Sequence, residues 1–162
     1  MPIAHGEVLT CVEVLDTVTI NGELTEQTLD GFAQDKDGNV WYFGENSEEL
    51  SGGLVVDLGG SFTAGLDGAQ PGIIMKAHPA IGDFYRQEFL LNEAEDLAEV
   101  LSLSESVTVP AGSFDHCLKS KETEAMDPSA LENKFYAAGV GNVLTTDLVS
   151  GETLPLVTIK TQ

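Results

Sequence analysis

Basic residues are scarce in this chain of 162 residues: seven Lys and Arg stand against 27 Asp and Glu, which gives a formal net charge of −20. Such a charge repels the phosphates of nucleic acids and anionic membrane surfaces, so we expect neither as a partner. It attracts cations, divalent metals included. The simpler interpretation is an acidic surface that keeps a secreted or salt-adapted protein soluble.

Long apolar runs are also missing. No stretch approaches the roughly 20 apolar residues of a transmembrane helix, so we expect no membrane insertion. The opening MPIAH lacks the basic head and hydrophobic run of a signal peptide. A mature exported domain would begin like this, and so would a cytoplasmic protein. The length, together with an apolar fraction of 42%, predicts one globular domain over residues 1–162.

Cysteine is limited to Cys11 and Cys117, so at most one disulfide can form within the chain. In the predicted strands both sulfurs point away from the main apolar face, which is compatible with a bridge. Closing a loop of about 100 residues would stabilise the fold by on the order of 4–5 kcal/mol in the chain-entropy model. The alternative is two unpaired thiols in a reducing compartment.

Motifs for catalysis and cofactor binding are lacking as well. There is no Gly-x-Ser-x-Gly elbow, no P-loop and no Cys/His nucleophile pair. The GVG stretch at 139–141 lacks the following helix of a phosphate-binding loop. His5, His78 and His116 have no metal-ligand spacing. We therefore predict no metal site and no cofactor, and no catalytic residue is identified by a motif.

Turn residues between β-branched runs are plentiful. Asn21-Gly22 separates the runs at 7–20 and 23–34, and DKDGN at 35–39 precedes a run with the only tryptophan. Asn, Asp and Gly tolerate the positive φ angles of hairpin turns, so both are predicted hairpins. DKDGN also resembles the start of a calcium loop, but Asn46 stands where the bidentate glutamate is required, which favours the turn.

Short alternating runs continue to the C terminus. We expect strands at 40–43, 54–58, 61–64, 83–91, 97–109 with a bulge near Glu105, 113–121, 133–137, 142–148 and 154–161. Residues 44–53 are predicted as a loop, and the Gly/Pro-rich residues 65–82 as one long loop. The fold class is therefore all-β: an antiparallel meander of about ten strands forming a curved half-barrel or a closed β-barrel.

Five stretches in order resemble a group of uncharacterised, mostly exported bacterial β-proteins. They are GFAQDKDGNVWYFGE (31–45), AGLDGAQPGIIM (64–75), DFYRQEF (83–89), AEVLSLSESVTVPAGSFDHCLKSKE (98–122) and KFYAAGVGNVL (134–144). The ending is also similar to lipoprotein-associated half-barrel families. The resemblance implies a half-barrel and an extracytoplasmic, mature form without signal peptide, and supplies no catalytic residue. Such relatives have Trp at the position of Gly31. They also have a leading hairpin before residue 7, and a sheet that lacks this hairpin would have one open edge.

The first functional hypothesis is a non-catalytic protein that binds an apolar or amphipathic small molecule or lipid in a concave sheet, with the loop at 65–82 as a lid. The candidate lining consists of Trp41, Phe43, Met75, Tyr85, Arg86, Phe89 and His116. Arg86, the only arginine, either clamps a carboxylate ligand or pairs with a cross-strand carboxylate, and the ion pair is favoured.

Two further hypotheses belong to other classes. A small β-barrel enzyme (a cyclase, isomerase or hydrolase) would use His116 or Glu99 with Tyr85 or Arg86, because His116, Glu99 and Glu105 fall on the apolar phases of their strands. A core histidine with one hydrogen bond is the simpler interpretation of His116, and a bulge that turns Glu99 or Glu105 to solvent explains the pattern equally well. Alternatively, a structural or assembly protein would associate through its edge strands, for example as a homo-oligomer.

Overall fold

The structure is a computed structural model that describes residues 9–125, 127 and 129–161. In this part of the chain every regular element is a β-strand, which confirms the predicted all-β class. In chain order the strands are β1 (Val12–Ile20), β2 (Glu23–Gln34), β3 (Val40–Ser51), β4 (Leu54–Asp57), β5 (Phe62–Thr63), β6 (Gln70–Met75), β7 (Phe84–Arg86), β8 (Glu88–Phe89), β9 (Asp96–Val109), β10 (Gly112–Glu124), β11 (Leu131–Ala137), β12 (Gly141–Asp147) and β13 (Thr153–Pro155).

The thirteen strands form two antiparallel sheets. The first has the order β1-β2-β3-β6-β8, and β4 and β5 also pair with β3; the second has the order β13-β12-β11-β10-β9-β7. Among the described residues these sheets do not close into a barrel, so each ends in outer strands. No helix long and apolar enough to cross a membrane occurs in the described ranges.

Both predicted hairpin turns are confirmed. Asn21 and Gly22, with φ of 53° and 84°, join β1 to β2, and positive φ at both central positions is the conformation that Asn-Gly favours. At the second turn, the backbone N–H of Asp35 donates to the carbonyl of Asn39 (2.9 Å). The turn chemistry alone predicts these two reversals, because each is decided by neighbouring residues.

The predicted strand at 154–161 ends at Pro155. Three further strand assignments are corrected by long-range pairing. β3 continues to Ser51, so most of the predicted loop at 44–53 is strand. Inside the predicted loop at 65–82, β6 forms an inner strand between β3 and β8. The predicted strand at 83–91 is divided, with β7 in the second sheet and β8 in the first. In each case non-local pairing overrides local glycine, proline or polar content.

A β-bulge in β10 reverses the alternation predicted for its residues. Phe114 pairs with Val107 and Cys117 with Glu105, so two residues of β10 stand opposite one residue of β9. His116 occupies the bulge with φ of 56° and is exposed. The prediction that His116 faces the interior is therefore wrong, because the inserted residue moves Cys117 to the inner face instead.

The candidate disulfide is not formed, since Cys11 and Cys117 are both free. Cys117 is completely buried and packs with Val107, Ala137 and Val143. Burial raises the pKa of its thiol, and the charges of nearby carboxylates add to the effect. The predicted outward orientation of the Cys117 sulfur was wrong because the bulge places this sulfur in the core.

The chain divides into two compact units, each with its own core. The first unit contains the residues up to His78 together with Arg86–Glu95, and the second contains Pro79–Tyr85 and the residues from Asp96 onward. The first core consists of Tyr42, Phe62, Ala69 and Ala94; the second consists of Val107, Cys117, Ala137 and Val143. That both units belong to one domain stays a prediction.

Gly72 allows the close approach of β6 and the chain around Gln87. A Cβ built on Gly72 would overlap the backbone carbonyl of Gln87, whereas one built on Gly31 would lie 3.5 Å from the nearest backbone oxygen, that of Gly44. We expect Gly72→Ala to lower the free energy of unfolding by about 2 kcal/mol or more, because backbone has to move. Gly31→Ala is the matched control in urea unfolding. Equal stability of the two variants would contradict the packing described.

Candidate functional site

The predicted ligand-binding side chains are divided between the two units. Met75, Trp41, Phe43, Arg86 and Phe89 belong to the first unit, whereas Tyr85 and His116 belong to the second. Within the first unit, the structure brings Arg86 and Phe89 together, with the guanidinium carbon 4.3 Å from the ring centroid. This geometry is a cation–π contact.

Trp41 closes the second hairpin turn. Its indole N–H donates to the Asp35 carboxylate at 2.8 Å, and the side-chain amide of Asn39 donates to the same oxygen at 2.8 Å. The second carboxylate oxygen accepts the backbone N–H groups of Asp37 and Asn39. The hydrogen bonds from Trp41 and Asn39 lower the pKa of Asp35 to about 2. Trp41 therefore has a structural role in the turn.

His116 and Glu99, which were predicted as alternative interior acid–base groups, are both exposed. Glu99 is exposed on β9, while its neighbours Ala98 and Val100 are completely buried. The β9–β10 ladder shifts register again between Lys119 and Ser120, and this shift places the other phase of β9 inside. The prediction that Glu99 faces inward is therefore wrong for the same reason as that for His116.

A buried polar cluster in the second unit was not predicted from the sequence. Its members, called the Glu122 cluster below, are Ser120, Glu122, Lys134 and Tyr136. The hydroxyl groups of Ser120 and Tyr136 each donate to Oε1 of Glu122 at 2.7 Å. The ammonium of Lys134 lies 3.0 Å from Oε2, and the side chains of Glu122 and Lys134 are 4% and 28% exposed.

The cluster fixes the protonation states of its members. Burial acts to raise the pKa of Glu122, but the charge of Lys134 and the donated hydrogen bonds outweigh it and lower the pKa. The charge of Glu122 raises the pKa of Lys134, and burial together with Glu122 raises that of Tyr136. Glu122 is therefore an anion, Lys134 a cation and Tyr136 a neutral phenol.

Asp96 is a half-buried carboxyl close to this cluster, and it stands opposite Glu124 in the β9–β10 ladder. Burial raises its pKa to about 6; Lys134 opposes the shift, and the carboxylates of Glu124, Glu122 and Glu132 reinforce it. Burial also raises the pKa of Tyr85 to about 12, with the charges of Glu122 and Asp83 adding to the effect. The pKa of Asp96 is thus shifted from 3.8 towards neutral pH.

The surroundings of Glu122 limit the chemistry of the cluster. Two hydroxyl groups donate to Oε1, and Oε2, which accepts no hydrogen bond from the described residues, lies against the ammonium of Lys134. The positive charge of Lys134 stabilises the anion, so the carboxylate is poorly placed to accept a proton from a substrate. The arrangement resembles a structural ion pair within a sheet. The sequence contains a signal for the cluster, because Ser120 and Glu122 share a face of one strand and Lys134 and Tyr136 share a face of the next. The register that joins the two pairs is not contained in that signal.

A second polar cluster lies in the first unit. The Tyr42 hydroxyl is within hydrogen-bond reach of Asp30 and lies 2.7 Å from Oε2 of Glu45. A bulge at Phe43 lets Tyr42 and Glu45 share a face although they are three residues apart. Burial, with the two carboxylates, raises the pKa of Tyr42 far above its ordinary value. This tyrosine is a neutral donor that also stacks on Phe32, with ring centroids 4.9 Å apart.

In the described ranges, no group of three or more His, Cys, Asp or Glu side chains is placed to hold a metal ion.

The outer strand of the first sheet is unusually exposed. Among the described residues nothing pairs with the outer side of β1, which is called the open edge below. Eight of its nine residues are exposed. Val12 and Val14 lie on one face and Leu15 on the other; their exposures are 69%, 43% and 59%. The open edge is therefore apolar on both faces as well as unpaired along its backbone.

Comparison with known proteins identifies no relative. No family model matches the chain, no curated protein matches it, and no solved structure matches its fold.

Lys134 and Glu122 should be energetically coupled. Glu122→Gln leaves the lysine without its counter-charge, and Lys134→Met leaves an unpaired carboxylate that is almost fully buried. We expect each single change to lower the free energy of unfolding by about 3 kcal/mol and the double change to cost clearly less than the sum. Urea unfolding of the parent protein, the two single variants and the double variant measures the coupling. Lys121→Met, on β10 beside Glu122, is the control for loss of a lysine. Additive effects would show that the pair is not coupled.

Asp96 should make the protein less stable as the pH rises. Its pKa is raised from the ordinary 3.8 to about 6, so the folded chain holds this proton more tightly than the unfolded chain. The stabilisation of the folded state by this proton is complete below pH 3.8 and is lost as the pH rises through about 6. We expect Asp96→Asn to remove this loss and to gain on the order of 2–3 kcal/mol at pH 7.

The measurement for Asp96 is urea unfolding across that pH window, and Glu99→Gln, an exposed carboxyl on the same strand, is the matched control. An Asp96→Asn variant with the pH dependence of the parent protein would contradict the assignment.

Proposed function

We propose that this protein is a non-catalytic assembly protein that binds another polypeptide by accepting an extended strand at the open edge. The observation that carries the proposal is β1 itself: nine residues long, unpaired on its outer side among the described residues, and exposed on both faces. A strand added there would form main-chain hydrogen bonds along β1 and cover its apolar side chains.

The other outer strands are poorly suited to this role. β13 has three residues and contains Pro155, which has no N–H to donate. β7 has three residues, β8 has two and β4 has four. Natural sheets protect their edges with short strands, proline and lysine. β1, with the sequence VEVLDTVTI, is long and contains neither proline nor lysine; its only charged residues are Glu13 and Asp16.

Apolar burial provides a driving force for such an association. Full burial of a Val or Leu side chain is worth about 1.5–3 kcal/mol, and an added strand would cover only part of each. Val12, Val14 and Leu15 together would therefore contribute a few kcal/mol, to which the new backbone hydrogen bonds add about 1 kcal/mol each. Part of this gain is offset by the entropy lost on association.

The enzyme alternative receives less support. The two residues on which it depended, His116 and Glu99, are both exposed. Glu122, the most buried carboxylate of the second unit, is held by two hydroxyl donors and by the ion pair with Lys134. These features favour a binding or assembly role over general acid–base chemistry.

The binding of an apolar or amphipathic small molecule in a concave half-barrel, and an extracytoplasmic location, remain proposals. The half-buried Trp41, Phe43, Met75 and Phe89 are the side chains of the first unit that such a ligand would contact. Native mass spectrometry of the purified protein tests for a retained ligand.

Strand acceptance is tested with a fluorescent peptide of about ten residues in which threonine and valine alternate, with a benzophenone crosslinker at its centre. We expect saturable binding in fluorescence anisotropy, and crosslinks that map to Val12–Ile20 by mass spectrometry. Leu15→Lys should weaken binding about tenfold, because it removes apolar surface and places a charge on the edge.

Leu154→Lys is the matched control, because Leu154 is likewise an exposed leucine on an outer strand, β13. Val14→Pro, checked for folding by circular dichroism, is a second variant that removes a backbone donor from β1. Crosslinks that map to β13, or equal effects of the two lysine substitutions, would contradict the proposal.

A further inference from the structure

We infer that the strand accepted at the open edge is cationic: an extended polypeptide segment in which lysine or arginine alternates with apolar residues. This inference rests on the proposed function and names the chemical class of the partner. It follows from the distribution of charge around β1, which differs from that of the rest of the chain.

The part of the first sheet around the open edge is purely acidic. Residues 9–34 and 44–58 comprise β1, β2, β4 and most of β3. They contain nine Asp and Glu and no Lys, Arg or His. A partner that covers this region would lose free energy if it were acidic and gain if it were basic, because complementary charge favours both encounter and specificity.

The acids of β1 itself are the nearest to an added strand. Glu13 and Asp16 are exposed and lie on opposite faces of the strand. Neighbouring strands are about 4.8 Å apart. An added strand therefore lies one spacing from these two carboxylates and two spacings from Glu26 and Asp30 of β2. Because the Debye length at physiological salt is about 8 Å, the carboxylates of β1 dominate the attraction.

The apolar residues of β1 define the rest of the partner's pattern. Val12 and Val14 share a face with Asp16, and Leu15 shares the other face with Glu13. Each face of the edge thus combines an exposed apolar surface with a carboxylate. A complementary strand has apolar and cationic side chains on both of its faces.

A second copy of this chain fits the open edge poorly. Pairing β1 with β1 would bring the acids of two identical strands together, and like charges that face each other across a sheet are destabilising. The net charge of −20 on each copy adds a long-range repulsion. The charge therefore argues for a basic partner over self-association.

The experiment compares four labelled peptides of about ten residues: alternating lysine and valine, threonine and valine, glutamate and valine, and lysine and proline. The lysine–proline peptide has the cations but cannot form a strand ladder, so it reports binding through charge alone. We expect the lysine–valine peptide to bind about tenfold more tightly than the threonine–valine peptide at physiological salt, and the glutamate–valine peptide to bind most weakly.

Charge reversal locates the effect. Glu13→Lys combined with Asp16→Lys should weaken binding of the lysine–valine peptide about tenfold. Asp37→Lys combined with Glu152→Lys makes the same change in net charge at exposed positions outside β1 and should change binding less than about twofold. Raising the salt to about 1 M should remove the advantage of lysine over threonine.

Each other outcome overturns a defined part of the account. Equal binding of the threonine–valine and lysine–valine peptides would make the cationic inference wrong and leave strand acceptance intact. Equal binding of the lysine–proline peptide would show attraction by bulk charge only, which also overturns the inference. A peptide-independent dimer disrupted by Val14→Pro would show that a second copy is the occupant. If no peptide crosslinks to Val12–Ile20, the proposed function itself fails.

Discussion

Main-chain hydrogen bonding is the constraint on which this structure depends. Each strand of an antiparallel sheet pairs its backbone groups with those of its neighbours, and a sheet that does not close leaves one side of each outer strand unpaired, with only water as a partner. In the first sheet the long strand β1 is in this position among the described residues. The same strand also exposes apolar side chains to water, which is energetically unfavourable. The functional account follows from the coincidence of these two properties.

The acidic composition has different consequences in the two units. In the second unit Glu122 is buried, and it is tolerable there because Lys134 and two hydroxyl groups surround it. In the first unit Glu13 and Asp16 are exposed on β1. The buried carboxylate therefore pairs with groups of β10 and β11, whereas the exposed ones are the groups that we propose select a partner. Net charge alone does not distinguish these two uses.

Local chemistry determined how much could be predicted from the sequence. The hairpin turns at Asn21-Gly22 and Asp35–Asn39, and the all-β class, follow from turn residues and alternation. The strand β6 was missed because Pro71 and Gly72 indicate a loop locally, although pairing with β3 decides the outcome. The orientations of His116, Cys117 and Glu99 were wrong because bulges reverse the alternation. The Glu122 cluster depends on the register of β10 against β11, which no local pattern contains.

Amide hydrogen exchange of the free protein tests the central claim most directly. In β2, both edges are paired, with β1 and with β3. In β1, only one edge is paired among the described residues, so every second amide should face outward and be unprotected. We predict alternating fast and slow exchange along Val12–Ile20 and uniform protection in the central residues of β2. Uniform protection along β1 at high dilution would show that its outer side is already paired, and the open edge would not exist.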